Sequence, residues 1–318
     1  MSVAVRSPVE LVDAARSGQP RAVARLISLV EDASGQLREV MALLAPHARG
    51  AQVIGLTGAP GVGKSTCTSA LVSTFRARGL RVGVLAVDPS SPFSGGALLG
   101  DRVRMQEHAL DEGVYIRSMA SRGHLGGLAW STPQALRVLD VAGCDVIVVE
   151  TVGVGQAEVD IARLADTTLV LLSPGMGDGI QAAKAGILEI ADVFVVNKAD
   201  REGADTTARE LRQMLTMAPR APGDWRPPVV KTVAARSEGI SEVADAISAH
   251  ATWLADSGEG ARRRTARAAD EIEQIALAGL RAKIGDLRGG AALPDLAQAV
   301  VAGTTDPYTA ADRLVGAL

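Results

Sequence analysis

One nine-residue segment constrains the fold of this chain more tightly than any other part of the sequence. Its first eight residues, Gly58, Ala59, Pro60, Gly61, Val62, Gly63, Lys64 and Ser65, satisfy the pattern G-x-x-x-x-G-K-[ST], and Thr66 follows them. An apolar run at residues 52–56 precedes the segment, and a helical pattern at residues 65–78 follows it. Because the motif binds phosphate between a buried strand and the start of a helix, this context predicts a strand–loop–helix unit that holds the phosphates of a nucleotide.

Apolar strands alternate with helices through the middle of the chain. The predicted strands are residues 52–56, 82–87, 146–149, 168–172, 193–196 and 229–233. Helical patterns separate most of them, at residues 65–78, 132–141, 180–190 and 206–217. This alternation is typical of a mainly parallel sheet buried on both faces. We therefore predict an α/β fold, a mainly parallel-sheet P-loop domain with helices on both faces.

Helical patterns also extend to both sides of this domain. Residues 9–47 predict about three helices. The strand pattern stops after Gly239, and four further helices are predicted at residues 241–255, 262–284, 293–301 and 308–315. The expected organisation is an N-terminal helical extension (1–50), a P-loop domain (51–255) and a C-terminal helical arm (256–318).

The composition argues against several classes of partner. The net charge is -3 and aromatic residues make up 3% of the chain, without a basic stripe, so we expect neither nucleic acid nor a membrane surface as a partner. No apolar run approaches the roughly 20 residues of a membrane helix, and no signal peptide is expected. Cys67 and Cys144 lack a metal-binding or disulfide spacing, which favours reduced thiols in a cytoplasmic protein.

The phosphate loop predicts the residues around the nucleotide's phosphates. Lys64 is expected to neutralise the β- and γ-phosphates, and the Ser65 hydroxyl to bind Mg²⁺. Glu150 ends another apolar strand, where an aspartate is commoner, and its carboxylate is expected to hold the Mg²⁺ shell. Gly153 follows closely and offers a backbone N–H to the γ-phosphate. Ligands bind at the carboxyl ends of parallel strands, so these residues are expected to converge.

A second motif predicts which base is bound. Asn197, Lys198 and Asp200 form the pattern N-K-x-D after the strand at 193–196. The Asp200 carboxylate can accept hydrogen bonds from N1–H and the 2-amino group of guanine, a donor pair that adenine lacks. Asn197 is expected to brace the loop, and the Lys198 stem to cover the face of the base.

The loop after the last strand adds a further contact to guanine. It contains Ala234, Ala235 and Arg236, with Ala234 in a place where serine is more usual. The backbone N–H of Ala235 is the expected donor to guanine O6. Together with the phosphate loop, these residues predict a protein that binds GTP and GDP in preference to adenine nucleotides.

Three segments go beyond a generic nucleotide-binding pattern. They read DPSSPFSGGALLGD at 88–101, SRGHLGG at 121–127 and ETVGVGQ at 150–156. In these segments the chain closely resembles the MeaB/MMAA/ArgK family, from about Arg21 to Leu314. Members are GTPases of the SIMIBI class that act as chaperones of adenosylcobalamin-dependent acyl-CoA mutases. The resemblance implies an Mg²⁺-dependent GTPase that serves such an enzyme, most directly methylmalonyl-CoA mutase.

The resemblance also implies roles for five further residues. Asp88 and Asp101 match switch I carboxylates that reach the Mg²⁺ site or its water shell; Asp101 alone could equally N-cap a helix. Asp178, Gln181 and Lys184 match an extra switch that signals to the mutase. Their i, i+3 and i+6 spacing places them near one helix face, which without the resemblance is also typical of a solvated face.

Assembly and two alternative functions stay open at this stage. Ile272, Ile275, Leu280 and Ile284 give the C-terminal arm an amphipathic face; the resemblance implies a homodimer through it, although the face could also pack on its own domain. A kinase acting on a periplasmic arginine/ornithine transport component is one alternative, but no acceptor motif is evident. A metal-insertion GTPase is the other, and the chain lacks a His-rich tract or CxxC motif.

Overall fold

The computed structural model divides the chain into two units, Met1–Gly260 and Ala261–Leu318. It describes residues 7–32, 34–88, 106–108, 110–120, 131–151, 157–175, 187–217, 221–288 and 292–316. Within these ranges, no helix combines the length and apolar character that crossing a membrane requires.

A parallel sheet organises the first unit. In the described part of the chain it has seven strands: β1 (Gln52–Gly58), β2 (Val82–Asp88), β3 (Val114–Ala120), β4 (Val146–Thr151), β5 (Thr167–Leu172), β6 (Val193–Val196) and β7 (Val229–Lys231). Their order across the sheet is β3-β2-β4-β1-β5-β6-β7, and every neighbouring pair is parallel. The predicted α/β fold with a mainly parallel sheet is confirmed.

Helices precede, connect and follow the strands. In the first unit they are α1 (Pro8–Arg16), α2 (Pro20–Glu31), α3 (Leu37–Leu44), α4 (Lys64–Ala77), α5 (Thr132–Val141), α6 (Ala157–Leu164), α7 (Ile187–Ile190), α8 (Ala204–Met217) and α9 (Ile240–Asp256). The long helix α10 (Glu259–Arg288) begins at the unit boundary, and α11 (Ala292–Val301) and α12 (Pro307–Gly316) follow it. Of the helix predicted at 180–190, only α7 lies in the described residues.

Alternate residues of the central strands pack on opposite faces of the sheet. Leu85 and Ile147 belong to a core shared with α1, α2, α3 and α5, whereas Val84 and Val148 belong to a core shared with α4 and α9. Because helices cover both faces of these central strands, the strands consist largely of apolar residues. This explains why the central strands could be predicted from continuous apolar runs; the edge strand β7 was predicted from a similar run.

Strand β3 was not predicted from the sequence. It is an edge strand, and polar side chains interrupt its apolar pattern. One of them, Arg117, donates hydrogen bonds to Glu31 and to Ser28 at the end of α2. The polar residue therefore serves the contact between the sheet edge and the N-terminal helices, and the strand lacks the continuous apolar run of its neighbours.

Hydrogen bonds connect the turn between α1 and α2, and the segment before β1, to the rest of the first unit. The Asp140 carboxylate, in α5, accepts from the backbone N–H groups of Arg49 and Ala51, each at 2.8 Å. The Tyr115 hydroxyl on β3 donates to the carbonyl of Gly18 at 2.9 Å. The two bonds to Asp140 fix residue 51, and hence the start of β1, relative to α5. The bond from Tyr115 connects the turn between α1 and α2 to β3.

Candidate functional site

The predicted phosphate-binding loop leaves the sheet at its centre. Strand β1 pairs with β4 on one side and β5 on the other, and its last residue, Gly58, opens the loop. Strand β4 carries Glu150 next to its end, paired in register with Leu56 of β1. The carboxyl ends of these parallel strands form one edge, which is where α/β sheets bind ligands.

Two glycines give the loop a path that no other residue could follow. Gly58 has φ 147°, and a Cβ there would lie 2.4 Å from the carbonyl oxygen of Leu171. Gly63 has φ 98°, and a Cβ there would lie 2.5 Å from Nδ2 of Asn197. Gly63 is also the N-cap residue of α4, so the loop runs directly into the positive end of a helix. This arrangement suits the binding of phosphate.

Lys64 places a positive charge inside this loop. The side chain is buried, and its Nζ donates to the carbonyl oxygens of Gly58 at 2.7 Å and Ala59 at 3.2 Å. An ammonium group held against the loop backbone is positioned to pair with phosphate oxygens. The other loop positions differ in exposure: Pro60, Gly61 and Thr66 face solvent, whereas Val62 is packed into the core.

The Glu150 carboxylate joins β4 to helix α4 through both of its oxygens. Oε1 accepts from the Ser65 hydroxyl at 2.6 Å, and Oε2 accepts from the Thr68 hydroxyl at 2.8 Å. All three side chains are buried. The predicted neighbours Ser65 and Glu150 are thus in contact, and Thr68 is a residue of this site that the sequence analysis missed.

The chemistry of these donors fits Mg²⁺. This cation prefers oxygen ligands and is usually bound in proteins through one or two carboxylates together with phosphate oxygens. A serine hydroxyl and a carboxylate stand side by side next to the phosphate loop, which is the oxygen-only set that such a cation requires. Burial, and then the charge of Glu150, raises the pKa of the nearby Cys67 thiol on α4 to about 12.

Asn197 connects the phosphate loop to the predicted guanine-binding loops. Its Nδ2 donates to the carbonyl of Val62 at 2.8 Å. Its Oδ1 accepts from the backbone N–H of Ala234 at 3.0 Å and from the Thr232 hydroxyl at 3.1 Å. The side chain is buried. One amide therefore fixes its own loop, the phosphate loop and the loop at 232–236 relative to one another.

Lys198 and Asp200 lie at the surface beside this connection. Lys198 adopts a left-handed backbone conformation with φ 58°, and its Nζ donates to the carbonyl of Gly61 at 2.5 Å. One oxygen of Asp200 accepts from Arg236 at 3.4 Å, and Arg236 also donates to Glu238 at 2.7 Å. Ala235 is exposed in the short 3-10 helix Ala234–Arg236. The predicted base-reading residues are therefore gathered on one side of the phosphate loop.

The remaining predicted site residues are described only in part or not at all. Asp88 is the last residue of β2, at the same edge of the sheet as Glu150. Five residues lie outside the described residues: Asp101, Gly153, Asp178, Gln181 and Lys184.

Comparison with known proteins assigns the chain to a family. The model of the methylmalonyl Co-A mutase-associated GTPase MeaB family matches residues 23–286. The chain belongs to the MeaB family. It is a GTPase of the P-loop type, and it binds guanine nucleotide.

Individual relatives of this MeaB-family GTPase cover most of its length. A protein of Pyrococcus abyssi that is named a GTPase is 48% identical over 309 residues, which is 96% of this chain and 95% of the relative. The mouse methylmalonic aciduria type A homolog, mitochondrial, is 37% identical over 264 residues, or 78% of this chain and 64% of the relative. A crystal structure titled LAO/AO transport system kinase is 27% identical, with a TM-score of 0.72 and 99% coverage of both chains.

Proposed function

We propose that this MeaB-family GTPase is a chaperone of an adenosylcobalamin-dependent acyl-CoA mutase, and that this mutase is methylmalonyl-CoA mutase. In this role it gates loading of the cofactor and protects or reactivates the enzyme. The observation that carries the proposal is the family match over residues 23–286, because the family is described by its association with that mutase. The mouse relative, whose name refers to methylmalonic aciduria, supports the same partner.

The phosphate end of the site supports GTP hydrolysis with Mg²⁺. In our proposal the loop from Gly58 to Thr66 holds the phosphates, and Lys64 neutralises charge on the transferring phosphoryl group. Ser65 and Glu150 hold Mg²⁺ together with Asp88 and Asp101, and the Gly153 N–H contacts the γ-phosphate. When bound, Mg²⁺ supplies further neutralisation of charge on the phosphate oxygens. The support is the buried contact between Ser65 and Glu150 beside the Lys64 ammonium.

The base end supports selection of guanine. In our proposal Asp200 accepts from the guanine edge, and the exposed backbone of Ala235 donates to O6. Asn197 does not read the base; it holds the phosphate loop and the loop at 232–236 at a fixed separation. A guanine nucleotide that binds through both its phosphates and its base therefore meets protein groups that are already in place. This lowers the entropic cost of ordering those groups on binding.

Communication with the mutase needs a surface that responds to the nucleotide. We assign this role to Asp178, Gln181 and Lys184, the residues that match the family's extra switch. A nucleotide can shift a partner's equilibrium only by binding its two states with different affinity. The proposed signal is therefore a difference in mutase affinity between the GTP-bound and GDP-bound protein.

A homodimer is the second assembly that we propose. In helix α10, Ile272 is 68% exposed, Ile275 42% and Leu280 48%. These residues lie at helical spacing along one stripe, and large apolar side chains grouped on a surface mark an interaction site. A second copy of the chain, which brings the same stripe, is the proposed partner of this face.

A kinase is the alternative that one comparison favours. The structure with 99% coverage of this chain bears a kinase title. GTP labelled at the γ-phosphate separates the two functions, tested with the mutase and with a periplasmic arginine-binding protein as acceptor. The chaperone proposal predicts that all label leaves as inorganic phosphate. Label transferred to the transport protein would replace the proposal with the kinase function.

A further inference from the structure

Thr68 is a hydroxyl residue in the interior of helix α4. Its side chain is completely buried, and its hydroxyl donates across to Oε2 of Glu150 on β4 at 2.8 Å. Two other hydroxyl residues of α4 behave differently. Ser73 donates back to the carbonyl of Ser69, and Thr74 to the carbonyl of Ala70. That local pattern is the usual one for such residues inside helices, so Thr68 departs from it to reach the carboxylate.

The length of the glutamate side chain gives this contact a purpose. Glutamate has one more methylene than the aspartate that is commoner at this place, and hence one more torsion to fix. A hydrogen bond to Oε1 alone fixes the rotation of a carboxylate about its terminal bond less tightly than hydrogen bonds to both oxygens do. With Ser65 on Oε1 and Thr68 on Oε2, both oxygens are held and the orientation of the carboxylate is set.

The orientation of Glu150 in turn sets that of the Ser65 hydroxyl. A hydroxyl has one hydrogen to donate and two lone pairs. Because the Ser65 hydroxyl donates its hydrogen to Oε1 at 2.6 Å, its lone pairs would remain available to Mg²⁺. A carboxylate that turned away would release the hydroxyl and spoil the oxygen set that fits Mg²⁺.

We propose that Thr68 is a positioning residue that fixes Glu150 and thereby sets the affinity of the site for Mg²⁺. The inference rests on the magnesium site proposed above. Residues that orient the ligands of a metal, without touching the metal, typically change its affinity by about 10- to 100-fold when they are mutated. In our proposal, Thr68 orients the Mg²⁺ ligands Glu150 and, through it, Ser65.

The test compares nucleotide binding with and without the metal. Fluorescent GDP is bound to the full-length protein in EDTA and across a titration of Mg²⁺, and the melting temperature of each variant is recorded. Thr68→Val keeps the shape of the side chain and removes the hydroxyl, and Thr68→Ser keeps the hydroxyl. Thr74→Val is the matched control, because it removes a hydroxyl of the same helix that donates to the backbone carbonyl of Ala70.

The expected result is specific to Mg²⁺. Thr68→Val should need roughly 10- to 100-fold more Mg²⁺ to reach the high-affinity state, while its GDP affinity in EDTA stays that of the wild type. Thr68→Ser and Thr74→Val should titrate like the wild type. Hydrolysis by Thr68→Val should fall at low Mg²⁺ and recover at high Mg²⁺.

Three results would overturn the proposal in distinguishable ways. If Thr68→Val responds to Mg²⁺ like the wild type, Thr68 has no positioning role. An equal loss of GDP affinity in EDTA and in Mg²⁺ would show a purely structural role. If the wild type itself gains no affinity from Mg²⁺, the proposed magnesium site fails as well. Should Thr68→Val not fold, Thr68→Ala against Thr68→Ser makes the same comparison.

Discussion

At the scale of single residues, the buried charge of Lys64 is the feature on which we propose that hydrolysis depends. Its ammonium lies against the carbonyls of Gly58 and Ala59, within the phosphate loop. Few side chains with a full charge are buried in proteins unless they are paired or functional. Helix α4 begins at Lys64, so the position of the charge follows directly from the backbone of the loop.

Replacing Lys64 with alanine should abolish measurable GTP turnover. The loss removes a preorganised charge from the transferring phosphate, and such a loss typically lowers kcat by about 10²- to 10³-fold. Steady-state phosphate release measures it. Lys231→Ala is the control, because Lys231 pairs with Asp205 on the surface at 2.7 Å. Normal turnover by Lys64→Ala would remove this loop from the catalytic site.

Replacing Asp200 with asparagine should relax the preference for guanine. Asparagine offers one acceptor oxygen and a donor in place of two acceptors, so one of the two hydrogen bonds from guanine is lost. Hydrogen bonds to charged groups contribute about 1.5–3 kcal/mol, which predicts a drop of at least about 10-fold in the ratio of GTP to ATP affinity. Competition binding measures the ratio. Asp205→Asn should not change it, and an unchanged ratio in Asp200→Asn would exclude the assigned base contact.

The sequence predicted most of these residues but not Thr68. Lys64, Ser65 and Asp200 belong to motifs whose order along the chain reveals their chemistry. Thr68 acts on Glu150, 82 positions away in the chain, and its role depends on how α4 packs on β4. A sequence pattern local to α4 contains no signal for that packing, although the three-residue spacing from Ser65 places both on one helix face.

At the scale of secondary-structure elements, helix α4 carries Lys64, Ser65 and Thr68 and connects the phosphate loop to β4. Beyond its first turns it also fixes the segment before β3: Ser69 contacts Glu107 and His108, and Arg76 binds both oxygens of Asp111 at 2.8 and 2.9 Å. The edge strand β3 was missed in the sequence because Arg117, which contacts Glu31 and Ser28 of α2, interrupts its apolar pattern. The other strands, which contain continuous apolar runs, were predictable from the sequence alone.

The contact between Arg76 and Asp111 predicts a pH dependence of stability. The hydrogen bond from Arg76, followed by that from the Gly113 N–H, lowers the pKa of Asp111 below its ordinary value of 3.8. A carboxylate with a lowered pKa stabilises the folded state above the ordinary pKa, and this contribution is lost as the pH falls through the lowered value. Asp111→Asn should therefore be less stable than the wild type at neutral pH.

The free energy of unfolding in urea, measured against pH, checks this prediction. The difference in the free energy of unfolding between wild type and Asp111→Asn should be constant above about pH 5, because Asp111 is then ionised in both the folded and the unfolded wild type. The difference should shrink below the ordinary pKa of 3.8. Glu112→Gln, an exposed neighbour, is the control. A difference that stays constant down to the lowest pH would contradict the ion pair.

At the scale of the whole molecule, the second unit is distinguished by its exposed apolar surface. Ile272, Ile275 and Leu280 on α10 are exposed, and in the proposed homodimer a second copy of the chain removes them from water. The sequence predicted the helix and its amphipathic face from spacing alone. It could not exclude packing of that face on the same chain, because periodicity shows which residues share a face and not what covers it.

Charges placed on this stripe should dissociate the homodimer. Ile272→Glu combined with Leu280→Glu puts two carboxylates into the proposed interface, where burying an unpaired charge is costly. Sedimentation should then shift from dimer to monomer, while GTP hydrolysis without the mutase is retained. Gln274→Glu adds a charge to an exposed position of the same helix and should leave the dimer intact. A double variant that sediments like the wild type would exclude this face.

The most direct test of the proposed function is GTP hydrolysis with and without purified methylmalonyl-CoA mutase from the same organism, with size-exclusion chromatography of each mixture. We predict faster hydrolysis with the mutase and a complex that depends on the bound nucleotide. Lys184→Ala should keep its intrinsic hydrolysis and lose the stimulation, because the substitution removes a residue of the proposed switch and spares the phosphate loop. Hydrolysis that the mutase does not change, without any complex, would contradict the chaperone function.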